Sequence, residues 1–200
     1  MSKLEQHIIE RNILVHSWLI RAGDSVSASQ FVKVFSPDAP PIGWHLWHMA
    51  RFADRLQAKL GEITKEKVGH EVWESHDLIN VWGLNSTKLG VFDSGMGQPH
   101  EDAQDAIAHV GKDSILNYAQ LSFRACDQQI LSLNSTDFEK DYFGIIDYAY
   151  DAATGRVWAT EPKISSVAQD IVFHAAHGSR HMGMIEALKG LLGSAGTLSV

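Results

Sequence analysis

Two stretches of the chain carry histidines at spacings that suit metal chemistry, WHLWHM at 44–49 and HAAHGSRHMG at 174–183. Successive residues of an α-helix advance by about 100° and 1.5 Å, so His177 and His181 stand roughly 40° apart in rotation and about 6 Å apart in rise. Two imidazoles in that relation can close on one cation, as they do in HExxH zinc helices. His174 shares nearly the azimuth of His181 but lies about 10.5 Å from it along the axis, so it suits a pairing with His177 instead. His45 and His48 are one short turn apart, on a face with Met49 and Phe52. A third ligand from that pair would complete a three-histidine set drawn from two helices. Such a set leaves coordination positions for water or substrate, as catalytic rather than structural sites do.

The face these residues occupy matters more than their spacing. Ile171, His174, His177, His181, Ile185 and Leu188 form one helical stripe whose ends are apolar, so the histidines sit where core-facing side chains belong. A buried polar ring without a partner costs on the order of 1–3 kcal/mol, and three on one inward face call for something that organises them. A divalent cation does so, because neutral imidazole nitrogen is among its natural ligands. His7, His16, His70, His76, His100 and His109 show no comparable pattern and are expected in surface or hydrogen-bonding roles. A di-iron carboxylate site needs Glu-x-x-His pairs, and no Glu precedes a C-terminal histidine by three. Haem attachment through CxxCH is excluded by the single cysteine. Cys126 falls on a packing stripe and reads as a small core residue.

Four helical stretches must position these groups. The first runs from about Leu4 to Ala22, ending at Gly23, with Leu4, Ile8, Val15 and Trp18 on one side. The second opens after Pro40-Pro41 and continues to about Leu60, before Gly61. The third spans about Glu101 to Leu133, with Leu116, Ala119, Phe123, Cys126, Ile130 and Leu133 as a seam at alternating three- and four-residue steps. The fourth follows Pro162, with Ser165 or Ser166 at its cap, and runs to Leu192 before Gly193. Gly61–His100 forms a long connection with at most short helical pieces, and Asp137–Glu161 is irregular, with Ile145–Tyr150 able to form a strand or an ordered loop. Connections of that length tend to be functional. Residues 1–200 therefore read as a single all-α domain, a four-helix bundle with a long crossover between helices two and three.

Composition agrees. A chain of 200 residues with 44% apolar side chains can bury a core without disulfides, and one cysteine permits none within the chain. A net charge of −7 and no Lys/Arg cluster argue against nucleic-acid binding. The charged opening MSKLEQHIIERN and the lack of a long apolar run argue against a secretory signal and a membrane span. A cytoplasmic protein with a small-molecule substrate is expected.

The pair GWHLWHMARFADRL (43–56) and HGSRHMGMIEALKG (177–190) resembles the DinB/YfiT-like metalloprotein superfamily. The segment SHDLINVWGLNSTKLGVFDSGMG resembles the long connection many members have between their second and third helices. The resemblance implies a four-helix bundle, often dimeric, with zinc, nickel or iron held by His48, His177 and His181, and with His45 and His174 close by. Where the family frequently has Arg/His-Gly-Gln after the last histidine, this chain has Met182-Gly183-Met184. Characterised relatives include thiol-dependent transferases and isomerases that use low-molecular-weight thiols, and the thiol-binding bundle domain of ergothioneine-pathway enzymes.

The leading functional expectation is a metal-dependent transferase or hydrolase acting on a small molecule, with a low-molecular-weight thiol as a further cofactor. Trp44, Trp47 and Trp82 would wall the pocket or pack the bundle, and Asp77, Asp93 and Asp151 are loop acids able to orient a ligand or serve as a base. The rival is a non-catalytic, stress-related bundle whose structural metal takes a fourth protein ligand. The last alternative is a metal-free core in which histidines pair with acids.

Overall fold

The computed structural model describes residues 1–64, 70–143, 148–151, 156–159 and 164–197. The protein is mainly helical. Four long helices, α1 (Lys3–Asp24), α3 (Ile42–Thr64), α7 (Lys112–Leu131) and α9 (Val167–Leu191), pack on one another around a shared apolar core. Short elements fill in around them: α2 (Ala28–Phe31), α4 (Val72–Ser75), α5 (Leu78–Val81), a 3₁₀ turn at Ser86–Lys88, α6 (His100–Val110) and α8 (Ser135–Phe138). No described helix is long and apolar enough to cross a membrane.

Local chemistry accounts for the helix ends. Ser2 and Ser166 each cap their helix by accepting a backbone N–H while Glu5 and Gln169 return a side-chain acceptor to the cap N–H. The prolines at 40 and 41 put the start of α3 at Ile42. From there α3 is covered on nearly all sides, with Ile42, Leu46, Met49, Ala53 and Leu60 fully buried against α1, α7 and α9. It is the central helix, and both of its histidines are consequently inside.

Two boundaries and one core position differ from the sequence expectation. Gly61 does not stop α3, which continues to Thr64, where the hydroxyl turns back to the Leu60 carbonyl. The third expected helix is two helices, because Gly111 takes φ +78°, a left-handed conformation that breaks the path between α6 and α7. Periodicity on both sides of that glycine hid the break. Leu4 is exposed, since the first turn of α1 projects beyond the core. The α7 seam from Leu116 to Leu133 is buried throughout.

Two small antiparallel ladders precede α9: β1 (Asp141–Phe143) pairs with β4 (Ile164–Ser166), and β2 (Tyr148–Asp151) with β3 (Arg156–Ala159). Of Ile145–Tyr150, expected as a strand or an ordered loop, Tyr148–Tyr150 lie in β2, and residues 144–147 lie outside the described residues.

The connection between α3 and α6 is tied down by one carboxylate. Asp54 is fully buried and accepts from the backbone N–H groups of Val72 (2.7 Å) and Trp73 (2.8 Å) and from the Tyr118 hydroxyl (2.9 Å). Arg51, also buried, donates to Asp54 (3.3 Å), to the carbonyl of Asp93 through Nε (2.8 Å) and to that of Phe92 (3.3 Å), and pairs with Glu71 at 2.8 Å. The 90–96 turn, closed by a bridge between Val91 and Met96, is thereby held against α3 beside His48.

Candidate metal centre

His48 from α3 and His177 and His181 from α9 offer ligand nitrogens that all lie within 4.8 Å of one another. The Nε2 atoms of His48 and His177 are 3.4 Å apart, and those of His177 and His181 are 2.9 Å apart. With metal–nitrogen bonds of about 2.05 Å, tetrahedral angles separate ligand atoms by about 3.3–3.4 Å and right angles by about 2.9 Å. Both distances therefore suit a shared cation.

The hydrogen-bond partners favour the same reading. His48 Nδ1 meets the carbonyl oxygen of Ser94 at 2.5 Å. A carbonyl only accepts, so Nδ1 carries the proton and a neutral His48 presents a bare lone pair at Nε2. A backbone carbonyl that fixes the tautomer of a ligating histidine is a common outer support of metal sites. His181 Nδ1 lies 2.9 Å from Nδ1 of His45, itself buried; when His181 is the donor its Nε2 is also free to ligate.

Burial keeps these rings neutral. It pushes His48 down to about 3, with repulsion from His177 adding to the effect, and lowers His45 and His177 to about 4. His181 is depressed further, first by burial and then by the neighbouring histidines. Neutral imidazole is the form that binds metal.

Packing holds the rings in place. Trp44 stacks on His48 with centroids 4.6 Å apart and planes 12° apart, and its Nε1 donates to Gln98 Oε1 at 2.8 Å. Phe52 packs edge-on against His177 at 4.7 Å. His177 is the half-buried member of the triad, beside exposed Phe173, and its Nδ1 has no hydrogen-bond partner among the described residues. The site is most accessible there.

Of the tryptophans considered as pocket walls, Trp44 reaches the histidines, whereas Trp47 and Trp82 pack around Trp73. The Asp77 carboxylate accepts from the Asn80 side chain, Asp93 supplies a carbonyl to Arg51, and Asp151 falls in β2. Asp93 also lines a polar cavity of about 460 Å³ with Arg51, Arg55, Glu71, Asp77 and Phe92.

His16, expected in a surface or hydrogen-bonding role, takes the hydrogen-bonding one. It is buried on α1, stacked on Phe123 at 4.3 Å, and its Nε2 lies 2.8 Å from Nε2 of His174. The signal was present: Ile9, Asn12, His16, Leu19 and Gly23 follow steps of three and four, and all are buried. His174 consequently points toward α1, away from a pairing with His177.

Comparison with known proteins shows the fold and nothing narrower. No family model matches the chain, and no curated protein matches it in sequence. A crystal structure of a conserved protein from Enterococcus faecalis superposes with a TM-score of 0.61 at 14% identity, covering 97% of this chain and 100% of that one. The two chains share a helical architecture over their whole length.

Proposed function

We propose that this chain is a divalent-metal-dependent enzyme of the DinB/YfiT-like type, a single four-helix-bundle domain whose His48, His177 and His181 hold zinc, nickel or iron. The observation that carries the reading is the convergence of three neutral imidazole nitrogens, two pairs of them 2.9 and 3.4 Å apart, from helices distant in sequence. A cation so held supplies Lewis acidity, lowering the pKa of a bound water or thiol toward neutrality so that the anion serves as nucleophile.

The protein's own groups do the rest. The Ser94 carbonyl and His45 orient two of the three rings, and Trp44 and Phe52 exclude water from the buried side. The half-buried edge at His177 admits a small molecule. Transfer of a group to or from a low-molecular-weight thiol, or hydrolysis, follows from which anion occupies the open position. An open site is favoured over a structural one because His45, the nearest extra histidine, turns its Nδ1 to His181. A cytoplasmic location and a homodimer belong to the same reading.

Elemental analysis and isothermal titration test it. The His48→Ala/His177→Ala/His181→Ala variant is expected to hold one equivalent of metal fewer than the parent, and equal content discards the assignment. Metal-loaded protein is expected to release heat with at least one cellular thiol. Silence with all of them removes the thiol-dependent reaction and leaves hydrolysis or a structural metal.

A further inference from the structure

A second group of potential ligands lies deeper in the core, where α1, α7 and α9 meet. His16, Cys126 and His174 are 2%, 0% and 3% exposed, and one ligand atom from each lies within 4.8 Å of the others. We propose that these three side chains form a second metal site, with thiolate and imidazole ligands, that takes a divalent cation of the zinc class and is oriented by Asp127.

The orienting contact is explicit. Asp127 Oδ1 lies 2.7 Å from His16 Nδ1. An ionised carboxylate accepts, so the proton sits on Nδ1 and a neutral His16 presents its Nε2 lone pair to His174. This carboxylate–histidine arrangement is the usual outer support of zinc-bound imidazole. The 2.8 Å between the two Nε2 atoms matches a right-angled pair of bonds of about 2.0 Å. Without a cation, His174 would donate to His16 and the Cys126 thiol would add nothing. With one, all three groups are used.

Asp127 places a carboxylate beside the three groups. Binding replaces the thiol proton with the metal, releasing one proton to solvent. The dipositive ion, the thiolate and the Asp127 carboxylate then sum to zero, which limits the cost of placing charge in the interior. Asn12, one turn before His16, is fully buried with both side-chain polar atoms unpartnered among the described residues, so polar capacity is left over on the same face of α1.

This site is independent of the three-histidine reading, and cobalt separates the two. The chain has one cysteine, so a thiolate-to-cobalt charge-transfer band in the near ultraviolet can come only from Cys126. Chelator-treated, reduced, full-length protein titrated with Co²⁺ is expected to develop that band, saturating at one equivalent, with two equivalents bound in total. Cys126→Ser should lose the band and one equivalent, while His48→Ala/His177→Ala should keep the band and lose the other. Asp127→Asn should keep the band but weaken its midpoint about tenfold or more. If Cys126→Ser does not fold, the parent spectrum still decides: saturation without the band in protein folded by circular dichroism overturns the proposal. The band with one equivalent in total would sustain it and sink the three-histidine site instead.

Discussion

His48 donates its Nδ1 proton to the carbonyl oxygen of Ser94 across 2.5 Å, although 46 positions separate them in sequence. The contact links a ring on the central helix to a turn that has no helical structure of its own. It also makes the 90–96 turn part of the site, since the orientation of His48 depends on where that turn lies.

Gly95 tests this dependence. It takes φ +82°, and a Cβ there would sit 2.8 Å from Trp44 Cζ2 and 2.9 Å from Trp47 Cζ3. Gly95→Ala must displace either the turn or Trp44, the ring stacked on His48. The expected result is a 10–100-fold loss of metal affinity with all three histidines intact, as for other outer supports, and about 1–3 kcal/mol of lost stability from backbone strain. Competition titration against a chelator and a urea melt read the two effects. Unchanged affinity would show that the Ser94 contact does not govern the site.

Asp54 carries a larger load. It is fully buried and receives five donors, including Arg51, two backbone amides, the Tyr118 hydroxyl and the Gln57 side chain at 3.2 Å. Asp54→Ala takes one of two carboxylates from the buried Arg51 and strands two backbone amides, an expected cost of about 3–5 kcal/mol. Asp54→Asn should be nearly as harmful, because its NH₂ group faces donors. Urea unfolding midpoints at constant m-value measure both, and a loss below about 1 kcal/mol for either would refute the role given to this carboxylate.

Legibility in the sequence followed how local each signal was. The α9 histidines and the α7 seam were readable because their spacing is a property of one helix. The break at Gly111 was not, since apolar periodicity continues through Ala103 and Ile107 on one side and Ile115 and Ala119 on the other. His16 has no histidine neighbour close by in its helix, so spacing does not mark it as a ligand, although its register with Asn12 and Leu19 places it on the buried face. The Ser94 carbonyl has no residue-type signature at all. Arg51 and Asp54 stand three apart on α3, but their partners at 71–73, 92–93 and 118 are set by tertiary contacts alone.

The depressed histidines make stability depend steeply on pH. Unfolded histidines titrate near 6.5, while burial lowers folded His45 and His177 to about 4 and His48 to about 3. Between about pH 4 and 6.5 the unfolded chain therefore binds more protons than the folded one, so stability rises with pH across that window and is complete above it. Each such histidine removes about 2 kcal/mol on going from pH 7 to 5. The rings touch one another, so their contributions do not simply add, but His181 and His174 shift in the same direction. The lowered carboxylate of Asp137 acts in a separate, lower window, contributing above its ordinary 3.8 and fading only as pH falls below it. Chelator-treated protein should accordingly lose most of its urea resistance between pH 7 and 5. His45→Leu should flatten that slope by about one proton. A urea midpoint constant from pH 8 to 5 would mean that these rings are solvated in the folded protein.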